Sequence, residues 1–215
     1  MAIDPTLRDA LSAVTPASLA RALTRAGVKA FSPHGLSGRG GSAIGPAYTV
    51  RMIPARNDAA GDLAAAIDAV PEGAVLVIDA AGSSLALPFG AIVAARLAQR
   101  GVAGLVTDAA LPDTVGLPVW SAPVGGSDTL SLVGSQEPVS CGGAAIYPGD
   151  IMVCGSSGIV ALPADIAERV ALEAVEQQRL DLWIQREVEK GGSLATLLPP
   201  DAAALSRFEA ETKPT

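Results

Sequence analysis

Three aspartates stand where a chain of this kind could do chemistry. The apolar runs "GAVLVIDAAG" (73–82) and "VAGLVTDAAL" (102–111) each carry an acid near their end, Asp79 and Asp108, followed by two alanines. Asp113 comes shortly after the second run, directly behind Pro112, which fixes the local backbone. A single carboxylate can anchor a divalent cation when water and substrate oxygens fill the other positions, as Mg²⁺ prefers. Asp79 and Asp108 either join such a site or cap the turns that follow them, and the spacing leaves both readings open. The loop "AAGSSLALPFGAI" is the second feature. Gly82, Ser83 and Ser84 make a turn, and Gly90, Ala91 and Ile92 fall in the first turn of a helix. Amides at such a tip have no partner inside the helix and can hold a carboxylate or phosphate. An ordinary strand-to-helix turn accounts for the same residues.

The elements that must position these groups are legible. Residues 73–82 and 102–111 are apolar on both faces, as parallel strands covered on two sides must be. Between them "PFGAIVAARLAQRG" (88–101) reads as a helix with Pro88 near its start and Gly101 at its end. Together they form a βαβ unit with a right-handed crossover. Open sheets of this kind place ligands at the carboxyl ends of their strands, where the aspartates lie. "LPVWSAPV" (117–124) supplies a third short strand and "GPAYTVRMIPA" (45–55) another. Residues 15–27 form a helix with Thr15 as N-cap and Pro16 at its first position. Residues 59–70 form a helix with Leu63, Ala66, Ile67 and Val70 on one side. Short β runs over 139–163, broken by Pro-Gly-Asp and Gly-Ser-Ser-Gly, predict antiparallel hairpins. One long helix spans 164–190, and a largely polar, loosely held tail follows. The whole is one α/β domain over 1–215, with its core at 15–196 and its tail at 197–215.

Composition excludes several classes. The chain has 215 residues, 49% hydrophobic, 17% charged and 3% aromatic, so its core is built from Ala, Val, Leu and Ile. Its net charge of −7 argues against a nucleic-acid-binding face. Its low charged fraction implies apolar surface covered by another subunit. Two cysteines, Cys141 and Cys154, form no C-x-x-C motif and fit a reducing compartment. The N-terminus lacks a signal-peptide pattern, and no apolar run reaches the roughly 18–20 residues of a membrane span. A soluble cytoplasmic protein is expected. His34 is the one histidine, so a Ser-His-Asp triad or histidine-rich metal site has little to draw on. Ser83, Ser84 and Ser157 read as turn residues, and Cys154 as a buried small hydrophobe. No G-x-G-x-x-G or G-K-[ST] element indicates a nucleotide.

Taken in order, "GPAYTV", "RND", "GAVLVIDAAG", "FGAIVAARLAQRGVAGLVTDAALPD", "PVW", "YPGDIMV" and "GIVALP" resemble the RraA-like family. That family includes regulators of ribonuclease activity and class II 4-hydroxy-4-methyl-2-oxoglutarate aldolases that also decarboxylate oxaloacetate. The resemblance implies a swivelling-domain-like β/β/α fold, a homotrimer or homohexamer, and a site between subunits. It assigns Asp108 to the first acid of the aldolase motif D-G-x-x-R-D and Asp113 to the acid that holds Mg²⁺ or Mn²⁺. It assigns Gly90, Ala91 and Ile92 to the amides that grip a pyruvate carboxylate, with Ser83 and Ser84 beside them.

This chain departs from the pattern at several points. Pro112 stands at the catalytic Arg, Gly116 at a further acid, Ala91 at the Glu or Asn of the amide loop, and "GSSG" (155–158) at an acidic turn. Proline cannot donate a hydrogen bond to a developing enolate, a contact worth several kcal/mol. Arg51 and Arg56 are the candidates to bring a guanidinium from a neighbouring strand. Three expectations follow. One is a divergent metal-dependent lyase acting on a small 2-oxo acid. Another is a non-catalytic binding or regulatory protein. The third is altered, metal-free chemistry in a pocket lined by Ser83, Ser84, Trp120 and Cys154.

Overall fold

The computed structural model describes residues 3–55, 62–83, 85–111, 116–123 and 130–212. Two helices open the chain, α1 (Pro5–Ser12) and α2 (Pro16–Arg25). The Asp4 carboxylate caps the first, and Thr15 caps the second by accepting the Ser18 N–H, with Pro16 at its first position. Strands β1 (Ser37–Arg39) and β2 (Ala43–Pro54) follow, then α3 (Leu63–Asp68), β3 (Val75–Asp79), α4 (Gly90–Gln99), β4 (Gly104–Ala110) and β5 (Val119–Ala122). Next come β6 (Leu130–Ser135), β7 (Val139–Cys141), β8 (Ala144–Ile146), β9 (Ile151–Gly155) and β10 (Gly158–Leu162). Helices α5 (Ala167–Glu189), α6 (Leu194–Leu197) and α7 (Ala202–Thr212) end it.

The strands join in the order β1-β5-β4-β3-β2-β9-β10, with β6 also on β2, and β7–β8 forms a separate hairpin. β2, β3, β4 and β5 are parallel neighbours, as the two apolar runs predict. Every residue of β3 and β4 is buried. Leu76 and Ile78 pack with Val93 and Leu97 of α4 on one face, while Val75 and Val77 pack with Trp120, Cys141 and Ile146 on the other. This two-sided burial is why the alternation of a half-exposed strand is missing from their sequence. β2 is long enough to serve three pairings. Its first half lies against β9, its second half against β6 on one side and β3 on the other. Gly45 permits the crowding at that crossing, because a Cβ there would stand 2.2 Å from the Gly73 carbonyl.

A third core unites α1, α2, β9, β10 and the first half of α5. The second half of α5 carries its own cluster, Trp183, Ile184, Leu197 and Ala204, with Phe208 against it. The C-terminal stretch is therefore not a loose tail over its described length. It folds into α6 and α7, and Trp183 meets Phe208 edge-on at 5.9 Å. Trp183, on the second half of α5, gives Phe208 of α7 a surface to pack on. α1 and β6 were not expected from the sequence. Among the described residues, no helix is long and apolar enough to cross a membrane.

Candidate functional site

An open cleft of about 790 Å³ lies at the carboxyl ends of the parallel strands. Arg51 of β2, Asp79 of β3, Asp108 of β4 and Ala122 of β5 line it from the sheet. Ala81 and Gly82 line it from the loop after β3, and His34, Ser140, Gly142 and Gly143 complete its lining. Arg51 and Asp79 are direct cross-strand partners.

Two irregularities aim these side chains. The β2–β6 register shifts between Arg51 and Met52, and the β4–β5 register shifts between Thr107 and Ala110, around Asp108. Bulges of this kind bend a strand and redirect a side chain at a sheet's rim. Arg51 is exposed, whereas Met52 beside it is fully buried, so the guanidinium leaves the core as the strand ends.

Both acids are tied to backbone. Asp108 accepts N–H bonds from Ala80 at 2.6 Å and Gly82 at 2.9 Å. Asp79 accepts from Ala81 at 2.8 Å and from Ser140 at 3.3 Å. Ala81 and Gly82 both take left-handed φ, so successive amides turn inward as in an anion-binding nest, with the chain's own carboxylates as its anions. Burial pushes the Asp108 carboxyl above its ordinary value, and the charge of Asp79 adds to the push. The amides of Ala80, Gly82 and Gly142 pull the other way. The turn-capping role left open by the sequence is thus the one both acids fill in the fold, and both also face the cleft.

The structure brings some expected residues here and leaves others apart. Asp108 lines the cleft. Ser83 is a turn residue, its N–H donating to the Ala80 carbonyl and its Oγ accepting from Leu85. At the tip of α4 the Gly90 N–H donates to the Leu87 carbonyl. Ile92 and Phe89 line a different groove, of about 620 Å³, shared with α3. Pro112, Asp113, Ser84 and Arg56 lie outside the described residues. Trp120 and Cys154 do not line a common pocket with Ser83. Both are buried in the core under the β7–β8 hairpin, because a sheet covered on two sides has no free face there. Burial pushes the Cys154 thiol far up, so it stays a protonated small hydrophobe.

His34 is the cleft residue that sequence reasoning passed over. Its backbone N–H donates to the Gly142 carbonyl at 2.9 Å. Its ring rests over Gly143, where a Cβ would come within 2.9 Å of Nε2. The signal available was the "CGG" turn, whose two left-handed glycines make room for the ring. Among the described residues, no three His, Cys, Asp or Glu side chains cluster as a metal would require.

Residues 5–161 match the family described as "RraA-like: Aldolase/RraA". A curated relative, "Putative 4-hydroxy-4-methyl-2-oxoglutarate aldolase" of Halalkalibacterium halodurans, is 32% identical over 155 residues, 67% of this chain and 71% of its own length. Streptomyces coelicolor RraAS2, described as an unusual member of the RNase ES inhibitor RraA protein family, superposes with a TM-score of 0.74 at 26% identity. That match covers 86% of this chain and 98% of RraAS2. An uncharacterized protein of Pseudomonas syringae pv. tomato superposes with a TM-score of 0.76 at 27% identity, covering 91% of this chain and 94% of its own.

Proposed function

The chain belongs to the RraA-like family, and from that premise we propose that it is a divergent carbon–carbon lyase acting on a small 2-oxo acid in the cleft at the ends of β2–β5. The observation that carries this reading is the place of Arg51, a guanidinium on the strand beside Asp79, in the same cleft as Asp108. Pro112 stands where the resemblance expects arginine, and Arg51 reaches the rim from another strand. The aldolase relative supports the substrate class.

In this reading Arg51 pairs with the substrate's carboxylate and oxo oxygen. As the carbon–carbon bond breaks, its electron pair flows onto that oxygen and forms an enolate. A guanidinium there favours the enolate over the substrate because charge has concentrated on that oxygen. Asp79 and Asp108 hold the loop 80–82 against the cleft and keep its wall in place. Mg²⁺ or Mn²⁺ is the cofactor the resemblance implies, at Asp113, where it would polarise the oxo group. The described donors do not by themselves make such a site, because no three His, Cys, Asp or Glu side chains cluster among the described residues. The steps above therefore use the chain's own residues. A homotrimer or homohexamer belongs to the same reading. It is supported by Phe89 and Ile92, 73% and 68% exposed on the α3–α4 groove.

Oxaloacetate or 4-hydroxy-4-methyl-2-oxoglutarate, supplied with Mn²⁺, should yield pyruvate above the metal-only blank. Arg51→Ala should lower kcat/KM by about 100-fold, the usual cost of one oxyanion-stabilising donor. No pyruvate above the blank from the unmodified protein would end the lyase reading.

A second reading is a non-catalytic regulator, favoured by the likeness to RraAS2 together with proline at position 112. It predicts slowed RNA cleavage when the protein is added to a ribonuclease E-type enzyme, with no pyruvate formed. An unchanged cleavage rate at stoichiometric excess would remove it.

A further inference from the structure

The cleft pairs its carboxylates with one side chain that nothing so far has used, His34. It is held at both ends of its residue. Its N–H is fixed by the Gly142 carbonyl, and the Gly142 amide favours the charged form of Asp108, so one residue, Gly142, contacts both the histidine's backbone and the buried acid. The ring lies over Gly143, and a Cβ at that position would strike Nε2. Two successive left-handed glycines, Gly142 at φ 55° and Gly143 at φ 78°, thus make a seat for an imidazole. The seat faces the strand ends that carry Arg51, Asp79 and Asp108, the charged groups lining the cleft among the described residues.

We propose that His34 is the proton donor of this site, delivering a proton to the carbon of an enolate formed beside Arg51. The inference rests on the lyase reading above and names the residue that completes its reaction. With oxaloacetate the C3–C4 bond breaks, carbon dioxide leaves, and the electron pair forms the enolate of pyruvate. The His34 imidazolium then gives its proton to C3, a new C–H bond forms, and the imidazole recovers a proton from water. One proton is consumed for each pyruvate and carbon dioxide released. Imidazole suits the step because its ring nitrogens can both give and take a proton, so it can lose and regain one in each turnover. Asp79 and Asp108 hold the loop 80–82 through their backbone N–H bonds, and arginine does not give up its proton.

The test compares the full-length protein with His34→Gln, a change at an exposed position that keeps a polar side chain of similar reach. Three readouts separate proton transfer from a structural role. His34→Gln should lower kcat for pyruvate release about 100-fold, within the usual span for a lost general acid, and leave KM within about twofold. Exchange of the pyruvate methyl hydrogens with D₂O, which needs the same proton transfer in both directions but no carbon–carbon bond cleavage, should be lost as well. Added imidazole should restore part of the rate to His34→Ala.

An unmodified protein that turns over, set beside a His34→Gln variant of equal rate and equal exchange, overturns the assignment and leaves the lyase reading intact. An unmodified protein with neither turnover nor exchange overturns both. Equal loss of kcat and of oxalate affinity, without rescue by imidazole, also overturns it, because His34 would then only shape the cleft.

Discussion

The carboxyl-edge cleft and the C-terminal cap both gather charged side chains, and they use them in opposite ways. In the cap, Glu187 takes Lys190 Nζ at 2.9 Å and Arg207 at 3.0 Å. Arg207 also lies over the Trp183 ring at 5.4 Å, and the Trp183 N–H donates to Glu211. Each charge there answers another side chain. In the cleft, Asp79 and Asp108 are answered by main-chain amides, and Arg51 makes no ion pair among the described residues. A self-paired charge cluster adds local order. In the cleft the cation instead faces an open hollow.

The comparison breaks most visibly at Trp183. Trp183→Ala removes the centre of the cap cluster and should cost about 3–5 kcal/mol in urea unfolding, the usual range for a buried aromatic. The oxalate Kd measured by calorimetry should not move. A loss of oxalate binding in this variant would mean that the two regions are not separate.

Asp108 gives the next largest effect. Asp108→Ala leaves the Ala80 and Gly82 amides without their acceptor, each worth about 1–3 kcal/mol when it stays unpaired. Asp108→Asn should recover part of that, because its amide oxygen can still accept. Unfolding curves that coincide with the unmodified protein would show that this carboxylate does not hold the loop.

The smallest effect is in the pH dependence. The Asp108 carboxyl lies above its ordinary value of 3.8 in the folded chain. Below that value both folded and unfolded chains hold the proton. As pH rises, the unfolded chain loses it first. The stabilisation linked to the proton is therefore full below 3.8 and is lost as pH climbs through the folded value. Subtracting the Asp108→Asn stability curve from that of the unmodified protein should leave a descent just above 3.8. A flat difference would mean that the amides fully offset the burial.

Much of the frame was readable in advance. The runs at 73–82 and 102–111 became β3 and β4, and Thr15 and Pro16 began α2 as predicted. The family resemblance rested on motifs in these same segments. β6 escaped notice because its first residues follow the Gly-rich stretch at 124–129 and only one end of it is fully buried. The site was legible as a location more than as a set of side chains. The carboxyl edge, Asp108 and Arg51 are readable in the sequence, whereas the sequence gives His34, the one histidine, no triad or histidine-rich metal site to belong to.

The sequence by itself determined which segments must be buried on both faces, and hence a parallel centre with its acids at one edge, because local apolar runs and caps act over a few residues. Only the tertiary structure decided what those acids meet. Asp108 contacts amides 26 and 28 residues away, and His34 reaches the cleft through a turn more than a hundred positions later. Such partners are set by how the strands and the β7–β8 hairpin fold over one another, and no local periodicity encodes them.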